Sequence, residues 1–82
     1  MNNYIRAEIK LLTQTDVIHF IEKMNQESSD SYIVESEDHR IRVNARSVIG
    51  MLYAAAEMGS HIYLVNETND GVFPNFINEY RP

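Results

Sequence analysis

The chain has 82 residues, 44% of them hydrophobic and 23% charged, with twelve acidic against seven basic side chains and no cysteine. This predicts one globular domain that buries roughly 60% of the surface its unfolded chain exposes, and it leaves no disulfide, zinc–thiolate or thiol chemistry. A net charge of −5 argues against nucleic acid, which needs a basic face to release counterions.

Met1-Asn2-Asn3-Tyr4 lacks the basic-then-apolar layout of a signal peptide. No apolar run approaches the ~20 residues needed to cross a bilayer. The expected location is the cytoplasm, without membrane insertion.

Ile5 to Leu11 alternates apolar and charged residues, the period of a strand with one buried face. Asp16 to Asn25 follows as a helix, with Val17, Phe20, Ile21 and Met24 forming one stripe. Thr15 or Thr13 serves as its N-cap, and Asp16 suits the positive helix end. Tyr32–Glu35 and Arg40–Asn44 read as a hairpin around the turn Ser36–His39.

A second helix is predicted from Ser47 to about Met58, with Gly59 as its C′ residue. His61–Val65 is the last strand, and Asn66–Gly71 a loop. Val72–Tyr80 reads as a short third helix that tolerates Pro74 only in its first turn. The order β-α-β-β-α-β plus a short helix predicts an α+β fold, a four-stranded antiparallel sheet with helices on one face. Pattern alone leaves the strand order open.

The second helix is apolar on two sides. Met51, Ala54, Ala55 and Met58 form one stripe; Val48, Ile49, Leu52 and Ala56 form another. Either the second stripe faces a partner, a second copy of the chain included, or the C-terminal residues Phe73, Phe76 and Ile77 cover it. Ser47 reads as a plain N-cap, worth about 1 kcal/mol. Phosphorylation is the functional alternative, since a phosphate there would meet the positive helix end and its free N–H groups.

Val43-Asn44-Ala45-Arg46-Ser47-Val48-Ile49-Gly50, with Ala54-Ala55-Ala56 and Gly59, resembles a segment of the HPr phosphocarriers of the phosphoenolpyruvate-sugar phosphotransferase system. In that family it reads V-N-A-K-S-I-M-G, followed by a small-residue helix and a glycine. The match covers under a quarter of the chain, and the element order extends it more loosely over nearly all of it. The resemblance implies the HPr fold, a β-α-β-β-α-β-α open-faced sandwich.

In the family, a histidine before the first helix carries the phosphoryl group, in a pattern like G-x-H-A-R-P-A. The corresponding residues here are Leu12-Thr13-Gln14-Thr15-Asp16-Val17. Gln14 falls near the histidine's place and has no nitrogen able to carry phosphate. Asp16, near the arginine's place, would repel one. The catabolite-repression homologues within the family also have glutamine there and keep the serine. A kinase phosphorylates that serine, and the modified protein binds a LacI-type repressor.

Carried over, the resemblance implies Ser47 as the phosphorylated residue and Val48, Ile49 and Leu52 as docking residues. The implied partners are a serine kinase and a transcriptional regulator or phosphotransferase components. This chain departs from those homologues in lacking their A-R-P pattern and in a longer hairpin turn.

Other candidates are weaker. His19, on the first helix opposite its apolar stripe, reads as a solvated side chain; its alternative is a displaced phosphate carrier, away from the helix N-terminus that normally holds phosphate. His39 and His61 complete a set without metal-ligand spacing. Glu35, Glu37 and Asp38 read as a solvated, edge-protecting turn. No motif requires a cofactor. The expected function is a non-enzymatic regulatory or binding module, with a true phosphocarrier using His19 and a plain dimerisation module as alternatives.

Overall fold

A computed structural model describes residues 5–58 and 61–82. The elements run β1 (Ala7–Ile9), α1 (Gln14–Glu27), β2 (Tyr32–Glu35), β3 (Arg42–Asn44), α2 (Val48–Met58), β4 (Ile62–Asn66) and a C-terminal 3-10 helix (Asn75–Tyr80). The four strands form one sheet in the order β1-β4-β2-β3, antiparallel throughout.

Register follows from the apolar period. Ala7 and Val34 both lie opposite Leu64, and Val43 lies opposite Val34. These side chains point to the face covered by the helices, where they join Ile9, Tyr32 and Ile62 in one core. From α1 this core takes Val17, Phe20, Ile21 and Met24, and from α2 Met51 and Ala54. Both α2 residues are fully buried, and the small Ala54 lets the helix lie close to the sheet. The opposite sheet face carries Ile33, Glu35, Tyr63 and Val65, the alternate residues of β2 and β4.

Several predicted bounds shift for local reasons. Strand pairing is confined to Ala7–Ile9, and N–H groups on either side bond elsewhere: that of Ile5 donates to Asp70 Oδ1 (3.1 Å) and that of Lys10 to Tyr80 O (2.6 Å). β3 begins at Arg42 rather than Arg40, because the turn takes the preceding N–H groups: those of Arg40 and Ile41 both donate to Ser36 Oγ at 3.1 Å. α1 starts two residues before Asp16, capped by Thr13. Ser47 stands outside α2 as its cap. The predicted third helix is a 3-10 helix that begins only after Pro74. Gly59, predicted to end α2, lies outside the described residues.

Candidate functional site

The two helix N-termini are built differently. At α1 the Asp16 N–H donates to Thr13 Oγ1 (3.0 Å), while the Asp16 carboxylate accepts from the N–H groups of Leu12 (3.0 Å) and Thr13 (3.2 Å). This capping box places a carboxylate at the positive end of the helix, where an anion would otherwise bind. Gln14 is the exposed first residue of α1, directly beside it. At α2, Ser47 Oγ accepts the Gly50 N–H at 3.1 Å, and the first turn contains no acidic residue. The second helix thus retains its positive end uncompensated by a carboxylate.

Gly50 sits in close approach to β3 and to the cap, where a side chain would have to push its neighbours aside by a few tenths of an ångström. A Cβ built on it would lie 3.3 Å from Val43 Cβ and from Ser47 Cβ, tighter than ordinary van der Waals contact.

Arg46 fixes where this end of α2 lies. Its guanidinium donates to Met24 O (3.2 Å), Asn25 Oδ1 (2.7 Å), Ser28 O (2.7 Å) and Asp30 O (2.8 Å). α1 has no basic residue in its last turn, so Arg46 supplies the cation that a helix C-terminus favours. Asn44 Oδ1 accepts the Arg46 N–H at 2.8 Å and shapes the approach to Ser47. Hydrophobic periodicity does not reveal this role; its local signal in the sequence is an arginine in a tight turn with no acidic neighbour.

Of the predicted docking stripe, Val48 is 42% exposed and Ile49 82%. Leu52 is half-buried and packs against the edge of the core beside the buried Met51. Tyr53, which the sequence reading did not single out, is 51% exposed. It follows Ile49 by one helical turn and takes the place predicted for Leu52 on the open stripe.

The C-terminal segment does not cover this stripe. Phe76 and Tyr80 pack edge-on against Phe20 of α1, with ring centroids 5.3 Å away in each case. Burial at the C-terminal segment raises the Tyr80 phenol above its usual pKa of 10.0.

His19 is exposed on α1. Arg46 brings Ser47 to the C-terminal end of α1, so Gln14 and Ser47 lie toward opposite ends of a helix about 20 Å long at 1.5 Å per residue. The structure therefore does not gather the candidate residues into one site.

The acidic hairpin departs from expectation. Glu35 is not solvated; it is fully buried on the helix-free side of the sheet. Arg6 Nη1 stands 2.9 Å and His39 Nδ1 2.7 Å from its Oε2, and Arg42 Nε lies 3.2 Å from Oε1. Arg6 also lies over the Tyr63 ring, 4.2 Å from its centroid. His39 occupies the left-handed region, with φ 65°, a cost that the contact with Glu35 offsets. Asp38 accepts from Ser36 Oγ (2.7 Å) and from the Arg40 N–H (3.1 Å). Those bonds, that of Ser36 first, hold its carboxyl below the usual 3.8.

The other histidine named from sequence, His61, pairs with Glu8, Nδ1 to Oε2 at 3.2 Å. An open cleft of about 840 Å³ lies between the hairpin turn and the end of α2, bordered by Asp38, Arg40 and Glu57. No group of three or more His, Asp or Glu able to hold a metal ion occurs among the described residues. No helix among them is long and apolar enough to cross a membrane.

Comparison with models of protein families, with curated proteins and with solved structures finds no match for this chain.

Proposed function

We propose that this protein is an HPr-like regulatory module of the cytoplasm that binds protein partners through the Ser47 end of α2 and carries no phosphohistidine. The observation that carries the reading is the exposed stripe Val48, Ile49 and Tyr53 next to a serine whose Oγ caps the helix. Exposed apolar patches on a small domain mark interaction surfaces. A phosphate on Ser47 would add charge at the positive end of α2. It would leave the core untouched, so modification alters the docking surface without unfolding the helix.

The α1 end supports the non-enzymatic half of the proposal. Gln14 offers no nucleophilic nitrogen, and Asp16 occupies the anion position at the helix N-terminus. In this reading the partners are a serine kinase and a transcriptional regulator or phosphotransferase components, and the role is regulation of sugar uptake.

Intact-mass measurement with two phosphate donors tests the reading. One arm contains phosphoenolpyruvate with the general phosphotransferase enzyme, the other ATP with the HPr serine kinase. A phosphate gained only with ATP, and lost in Ser47→Ala, is the expected result. An acid-labile gain with phosphoenolpyruvate, abolished in His19→Ala, would make the protein a carrier instead. No gain in either arm would remove Ser47 modification from the proposal.

A further inference from the structure

Charge is distributed unevenly over the two layers of the fold. Of the seven basic residues, Arg6, Arg40 and Arg42 belong to the sheet and its hairpin, and Lys10 and Arg81 lie near the end of β1 and the C-terminus. Only Lys23 and Arg46 accompany the helices. Lys23 is paired with Glu79 at 3.4 Å. Arg46 is committed to the four oxygens at the end of α1.

The acidic residues of α1 and α2 are Asp16, Glu22, Glu27 and Glu57. Glu57 is the one charged side chain of α2, and it follows Ile49 and Tyr53 along the same i, i+4, i+8 row. The open apolar stripe therefore ends in a carboxylate.

Resting on the docking role of α2 proposed above, we infer that its partner is a protein surface that seats Ile49 and Tyr53 in an apolar socket and brings lysine or arginine side chains to Glu57. Interfaces place opposite potentials against each other, and a like-charged rim is rejected. Arg46 precedes the opposite end of α2 and Lys23 pairs with Glu79, while the cleft that Glu57 borders sets Glu37 and Asp38 beside it against Arg40 and His61, the latter paired with Glu8. Three carboxylates against one arginine leave this rim net acidic, so a basic partner surface complements it. Apolar burial of the two exposed side chains supplies the affinity, and the basic rim supplies discrimination and a fast on-rate.

Two amphipathic helical peptides with the same leucine stripe test this, one with lysine and one with glutamate on the polar face, each titrated into the isotope-labelled protein and followed by amide NMR. The lysine peptide is expected to shift the signals of Val48, Ile49, Tyr53 and Glu57. Its affinity should fall about tenfold when salt is raised beyond the point where surface charges are screened. Ile49→Ala should weaken it about fivefold, and Glu57→Lys should abolish its advantage over the glutamate peptide.

Equal binding of both peptides at α2 would overturn the basic-partner inference and leave the docking face standing. Shifts confined to the acidic hairpin around Glu37 and Asp38 would overturn the inference as well. Absence of shifts at α2 with either peptide would overturn both the inference and the docking role.

Discussion

Arg46 Nη2 donates to Ser28 O at 2.7 Å, so the residue before the α2 cap closes the end of α1. The guanidinium satisfies the C-cap carbonyl of Ser28, one that a helix C-terminus leaves without an intrahelical partner, and adds a second donor to Met24 O, which already accepts the Ser28 N–H. Arg46→Ala should therefore lower stability by about 2 kcal/mol, given that hydrogen bonds from a charged donor contribute roughly 1.5–3 kcal/mol. Lysine has no planar fork to serve several acceptors at once, so Arg46→Lys should recover less than half of the loss. Urea unfolding of the three proteins measures this; equal stability of Arg46→Ala and the parent would show that the clamp contributes nothing.

Ser47 separates a structural role from a regulatory one. Ser47→Ala removes the acceptor of the Gly50 N–H and should cost about 1 kcal/mol. Ser47→Asp keeps a capping oxygen and adds charge at the positive helix end, so its melting temperature should equal or exceed that of the parent. A binding change in Ser47→Asp with stability intact would be an effect on docking rather than on folding.

Ile49 and Leu52 should answer the same substitution differently. Ile49 is 82% exposed, so Ile49→Asp should change stability by no more than about 0.5 kcal/mol. Leu52 packs against the core, and Leu52→Asp should destabilise by about 2 kcal/mol or more. Sedimentation of Ile49→Asp is accordingly the cleaner test of a dimer through this face. A dimer of the parent that dissociates in this variant would assign the stripe to self-association.

Acid should weaken the fold partly through Asp30. The Asn66 amide (2.9 Å) and then the Asn69 amide (3.1 Å) donate to its carboxylate, holding its pKa below the usual 3.8. A carboxyl depressed in the folded state contributes stability above its unfolded pKa and loses it as pH falls through the folded one. Thermal unfolding between pH 5 and 2 should thus show a shallower acid dependence for Asp30→Asn than for the parent. An unchanged slope would mean the Asn66 and Asn69 bonds do not act on the charged form.

Glu35 is the charged residue whose loss should be felt most. Glu35→Gln leaves Arg6, Arg42 and His39 without their shared carboxylate and should cost about 2 kcal/mol, less than a fully buried pair because the cations reach solvent. His39→Gly relieves the positive φ while deleting one contact, so its loss should be smaller than that of Glu35→Gln. Denaturant midpoints of the two variants rank the contributions.

Much of the fold is legible in the sequence for a local reason. The alternation of Ala7 to Ile9 and the stripe Val17, Phe20, Ile21 and Met24 are short-range patterns, and a thin core gives each of them one place to go. The Ser47 cap is legible in the same way, because its bond to Gly50 spans three residues. Glu35 is not: its burial depends on Arg6 and Arg42, brought together from two outer strands of the sheet.

By itself, then, the sequence determined the α+β class, the order of elements and the helix cap at Ser47, because these rest on contacts within a turn or a strand. Only the tertiary structure decided the strand order β1-β4-β2-β3, the exchange of Leu52 for Tyr53 on the open stripe, the Arg46 clamp and the packing of Phe76 on Phe20 rather than over α2. Those features depend on which surfaces meet across long stretches of chain, and hydrophobic periodicity specifies that a face is buried without specifying against what.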